Sequence, residues 1–287
     1  MKSRSLIEAS MFAVLFISST FPMSSAAARD VCRNTLTNGF FDEYSASSAS
    51  LRDRAMYAEL CSRNFPEAQA AIKRALQFGD DGSLGVSYGL FSPRGSELGN
   101  LGPGSGANAA DGLEEDRFRQ WKSAYCSKNS AKASSDAAEF FMQKAATGRA
   151  RSMVPAVSAW SACMRMRAGL TCWAAPHGIQ NEEFVLNVNW TQPGPFPSQV
   201  QRQFKSRVLH SFLTRGAAAQ FEDAAPQRLL PAGHELDAGT LKIPVTRPVE
   251  KAINANLKVG YEEKEYSCNV FIPGERDFAL TTPFPSR

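Results

Sequence analysis

Histidine, metal-ligand spacing and long apolar runs are all scarce in this chain. Its 287 residues include three histidines, His177, His210 and His234. No C-x-x-C occurs, and no histidine stands near a cysteine pair at zinc-finger distance. His234-Glu235 is followed by Ala238 where an H-E-x-x-H site needs its second imidazole. The expectation is therefore neither a metal nor a cofactor. Lys/Arg blocks are also missing: 32 basic residues are scattered among 28 acidic ones, for a net charge of +4. Such a balance gives no grip on a phosphate backbone, so no nucleic-acid partner is expected. No apolar run reaches the roughly 20 residues that span a bilayer. The glycine-rich Gly102-Pro-Gly-Ser-Gly106 lacks the Lys-Ser/Thr end of a phosphate loop, and Gly104 directly before Ser105 rules out a nucleophile elbow.

What is present begins with an export signal. Lys2 and Arg4 precede the apolar run MFAVLFI, and the small residues SSAAA follow. That order reads as a signal peptide over 1–28, which places the mature chain in the periplasm or outside the cell, with no membrane span after cleavage. Losing Lys2, Arg4 and Glu8 lowers the net charge by only one. Cys32 follows Val31, not a small residue, which argues against a lipid anchor.

Six cysteines, Cys32, Cys61, Cys126, Cys163, Cys172 and Cys268, all lie beyond the signal. An even set in an oxidising compartment reads as a disulfide framework, not as a catalytic thiol. The expected pairing is Cys32–Cys61, Cys126–Cys163 and Cys172–Cys268. The last joins two strands through their apolar faces.

Residues 29–168 carry helical periodicity. Ser50 with Asp53, and Asp111 with Glu114, are approximate capping boxes. Pro66 and Pro155 suit first helical turns. Phe118, Trp121 and Tyr125 recur at helical spacing as a core stripe. Further helices are expected over about 135–147 and 153–168. Between the Pro66 helix and the Asp111 box, 79–110 is rich in Gly, Ser and Asn and reads as a long loop.

From residue 169 to 280 the period becomes twofold. Phe184, Leu186, Val188 and Trp190 alternate with Val185, Asn187, Asn189 and Thr191. Residues 252–272 alternate twice around Glu262-Glu263-Lys264, as in a β-hairpin. Helices first and antiparallel strands second predict an α+β fold, disulfide-stapled, with a β-sheet or β-sandwich in the C-terminal half and a short tail over 281–287.

Chemistry is thinly signposted. His177 follows Pro176 in a loop, and His210 lies in the apolar VLHSFL, where a structural imidazole is expected. His234, Glu235 and Asp237 crowd one turn and are the catalytic candidates for an exported hydrolase, with or without assistance from a metal. Glu182-Glu183 and Glu262-Glu263 are sequence neighbours that point to opposite sides of a strand, so neither makes a two-carboxylate site. The strands' polar positions, Asn187, Asn189, Asn254, Asn256, Lys258, Ser267 and Asn269, offer amides that donate and accept together. Asn254, Asn256 and Lys258 are the candidate ligand-binding residues, for a carbohydrate or a protein. The leading expectation is a non-catalytic binding module, with a hydrolase or a structural envelope or matrix component as alternatives. Asn189-Trp-Thr191 also matches the N-glycosylation pattern.

Overall fold

The computed structural model describes residues 25–43, 49–78, 113–148, 150–177, 183–194, 205–222 and 224–279, and among these the periodic apolar residues of the first half form six α-helices. They are α1 (Ser25–Asp42), α2 (Ala49–Ser62), α3 (Phe65–Phe78), α4 (Glu115–Cys126), α5 (Ala131–Thr147) and α6 (Val154–Arg165). Of the signal peptide expected over 1–28, residues 1–24 lie outside the described residues and 25–28 fall in the first turn of α1; the expected loop at 79–110 and tail at 281–287 also lie outside them. The aromatic stripe of α4 is core as expected: Trp121 stacks on Phe118 at 6.0 Å and meets Tyr57 of α2 at 5.7 Å. Full burial of such a ring stabilises by about 1.5–3 kcal/mol.

The helix ends differ from the motifs that announced them. α2 starts at Ala49, so Ser50 lies inside it and does not cap it. Glu114 is itself the N-cap of α4 and makes no side-chain cap bond. The reciprocal box sits elsewhere. Asn64 Oδ1 accepts from the Glu67 N–H, and Glu67 Oε2 accepts from the Asn64 N–H, both at 3.0 Å. α5 begins four residues before the expected start, where Ser130 Oγ accepts from the Ala133 N–H at 3.1 Å.

The second half forms two four-stranded antiparallel sheets. Sheet 1 has the order β1 (Gly169–Pro176), β2 (Glu183–Thr191), β6 (Gly239–Thr246), β4 (Ala218–Ala219). Sheet 2 has the order β5 (Glu235–Leu236), β3 (Ser206–Leu213), β7 (Ile253–Tyr261), β8 (Lys264–Ile272). The predicted hairpin is β7–β8, paired from Ile253 with Ile272 to Tyr261 with Lys264. Inner faces meet as a sandwich: Trp190 of β2 packs between Tyr261 and Tyr266 of sheet 2, at 5.3 and 5.2 Å. The α+β order and the disulfide-stapled architecture expected from the sequence are what the chain adopts.

α5 joins the layers. Buried almost all round, it contacts helices on one side and strands on the other. Gln143 Nε2 donates to the Ala174 carbonyl at 2.9 Å, and Asp136 Oδ2 accepts from the Phe271 N–H at 3.1 Å. Trp160 of α6 meets Trp173 of β1 edge-on at 6.1 Å. Among the described residues, helices pack on β1, β2 and the Phe271 end of β8, while the outer positions Leu209, His210, Phe212 and Asn254 of sheet 2 stay exposed.

Two of the three expected disulfides are corrected. The bonds are Cys32–Cys163, Cys61–Cys126 and Cys172–Cys268, with Cα separations of 5.5, 5.4 and 5.8 Å. Neither Cys32–Cys61 nor Cys126–Cys163 forms, because α1 docks along α6 while the C-terminal ends of α2 and α4 meet. Cys172–Cys268 forms as expected and clamps β1 to β8, one side of the sandwich.

Candidate functional site

Register along sheet 2 builds the first candidate surface. Asn256 pairs with Phe212 on β3 and with Asn269 on β8. Lys258 pairs with His210 and Ser267 in the next row. Asn254 extends the face along β7. The three ligand-binding candidates are thus brought together on one outer face. Lys258 Nζ is already committed to Glu265 at 2.5 Å.

A bulge between Val208 and His210 reshapes this face. The extra residue puts Leu209 and His210 outward together. Leu209 lies over Gly260, where an added Cβ would sit 3.3 Å from both Leu209 methyl groups. Leu209 is 47% exposed and Phe212 is 40% exposed. His210 is exposed rather than buried in an apolar segment, and its Nδ1 lies 3.1 Å from Arg228 Nη1. Sequence reasoning missed Leu209, Phe212 and Arg228; a bulge leaves no trace in apolar alternation.

Asn187 and Asn189 do not belong to this face. They are 6% and 2% exposed, because α6 and α5 cover the side of sheet 1 that carries them. Asn189 Nδ2 donates to the Arg165 carbonyl at 3.1 Å and to Thr191 Oγ1 at 3.0 Å, while its Oδ1 accepts from Thr240 Oγ1 at 2.8 Å. An amide so enclosed has no room for a glycan, which overturns the glycosylation reading of Asn189.

The second candidate lies where the chain crosses from β5 in sheet 2 to β6 in sheet 1. Asp237 and Ala238 make the crossing, and Gly239 takes a φ of +121°, a conformation that disfavours side chains. Beneath it opens a cleft of 270 Å³ lined by Val188, Trp190, Leu236 and Leu241, with His234, Glu235, Asp237 and Thr240 at its mouth. The three catalytic candidates therefore share one concave wall. Glu235 is held by Lys205 at 3.0 Å and Arg207 at 3.1 Å. The hydrogen bond and charge of Lys205, then those of Arg207, keep its carboxyl below the ordinary value of 4.5. Glu235 in turn raises the Lys205 ammonium. The His234 ring stands edge-on to Phe221 at 5.1 Å. Among the described residues no group of three or more His, Cys, Asp or Glu side chains is placed to hold a metal ion.

Family models, curated proteins and solved structures give no match to this chain. Function is read from the site's own chemistry. Three disulfides fit folding in an oxidising environment. Among the described residues no helix is long and apolar enough to cross a membrane.

Proposed function

We propose that this chain is exported to the periplasm or the cell exterior and binds a ligand there without chemistry, through the outer face of sheet 2. One observation supports this reading: the cross-strand row of Phe212, Asn256 and Asn269 sets an exposed ring beside two amides on the outer face of sheet 2. A ring face packs against sugar C–H groups while amides donate to and accept from hydroxyls. Carbohydrate is therefore the preferred ligand class, with an extended peptide as the other arm of the test. The full mature protein is applied to a printed oligosaccharide array and to a peptide array. Spots bound by the wild type are expected to be lost in the Asn254→Ala, Asn256→Ala, Lys258→Ala triple variant. Unchanged capture by a variant that melts normally removes this face as the site.

A second reading, hydrolysis at the cleft, draws support from His234, Glu235 and Asp237 sharing its wall. Glu235, held ionised by two cations, suits a base and not an acid. Turnover of fluorogenic esters and glycosides, lost in His234→Ala, would favour it.

A further inference from the structure

We propose that the cleft beneath the β5–β6 crossover is a binding site for a small uncharged apolar group, such as an aromatic ring or a short alkyl chain. The site is separate from the outer face of sheet 2. Its floor is built from the sandwich's own inner residues: Val188 and Trp190 of β2, Leu236 of β5 and Leu241 of β6. Cys172–Cys268 holds the opposite side of the sandwich together. Val188, Trp190 and Leu236 are buried, and among the described residues Leu241, the partner of Val188, stays partly exposed at the crossover.

The occupant's chemistry follows from the mouth. Lys205 and Arg207 both turn onto Glu235, and Asp237 lies near enough to favour the Lys205 charge, so two cations stand against two anions. The Thr240 hydroxyl is donated to Asn189, away from any guest. A charged guest would lose water at a mouth whose cations and anions balance, whereas an apolar one covers the exposed part of Leu241 beside the buried Val188, Trp190 and Leu236. At 270 Å³ the cleft falls just below the ~300 Å³ at which ligand pockets usually begin, so it fits one ring or a short chain and not a large molecule.

The chain has four tryptophans, of which Trp190 lines the cleft, so its indole N–H signal in a ¹⁵N-labelled sample of the full mature protein is a local reporter. Titration with phenol and hexan-1-ol is expected to move that signal saturably, at about millimolar affinity for guests of this size. Hexanoate and hexylammonium are expected to bind at least about tenfold more weakly. Leu241→Trp, which fills the cleft, and Ala238→Trp, at the exposed crossover, each abolish the shift. Lys258→Ala leaves it unchanged, which separates this site from the sheet face. The proposal is overturned if the neutral guests give no saturable shift, if the ions bind equally well, or if both filled variants, with the other indole signals intact, respond as the wild type does.

Discussion

Gly39 of α1 faces Ala156 of α6 so closely that a Cβ on Gly39 would lie 2.3 Å from the Ala156 Cβ. No side chain fits that gap without moving one helix. Two helical turns away along each helix, Cys32–Cys163 bonds the same pair. A glycine inside a helix costs about 1 kcal/mol relative to alanine, and here the close approach compensates. Gly39→Ala is expected to destabilise by about 1–3 kcal/mol, the usual cost of overpacking, despite its better helix propensity. Adding Ala156→Gly should restore most of the loss, as read by urea unfolding of the double-mutant cycle.

The disulfides close long loops, with sequence separations of 131, 65 and 96 residues. Replacing both cysteines of any one bond by alanine is expected to cost about 2–5 kcal/mol. Peptide mapping without reductant should recover Cys32 linked to Cys163 and Cys61 linked to Cys126. Recovery of Cys32 with Cys61 would contradict the docking of α1 on α6.

Glu59 is fully buried between two arginines. Arg33 donates to one carboxylate oxygen, and Arg63 Nε donates to the other at 2.6 Å. Burial works against the Arg33 charge, but Glu59 and then Glu139 outweigh it and raise the guanidinium above its ordinary value. Glu59→Gln removes the carboxylate that both arginines bond and leaves Arg33 only the more weakly acting Glu139 and Asp136. The loss should be about 3 kcal/mol, at the low end for breaking a buried pair because both guanidinium groups keep some solvent. Chemical denaturation of the variant checks it.

The rim of the cleft responds to acid. The Glu235 carboxyl titrates below its ordinary 4.5 because Lys205 and Arg207 favour the charged form. Its contribution is therefore fully present above about pH 4.5 and is lost as the pH falls through the lowered value. Lys205→Ala is expected to move the Glu235 midpoint up toward 4.5, as followed by the side-chain carboxyl ¹³C shift. An unmoved midpoint would show that Lys205 is not the principal partner.

Apolar spacing along the chain determined which segments coil and which extend. Phe118 and Trp121 declared the helix, and Ile253 to Ile272 declared the hairpin, because burying one face of a helix or strand is a local demand. The same logic placed Cys172 and Cys268 on apolar strand faces and matched them correctly. Tertiary structure decided what each face meets. Helices laid over sheet 1 turned Asn187 and Asn189 from surface amides into buried ones, while on the outer face of sheet 2 Asn254 stays exposed and Asn256 and Lys258 half-buried. A one-residue bulge brought Leu209 and His210 out beside them. The α1–α6 docking that pairs Cys32 with Cys163, and the crossover that gathers His234, Glu235 and Asp237 over an apolar cleft, rest on contacts between residues far apart in sequence. The chain's scarcity of histidine and metal spacing narrowed the chemistry from the start. Periodicity reports how wide a buried face is, and only packing selects the partner that buries it.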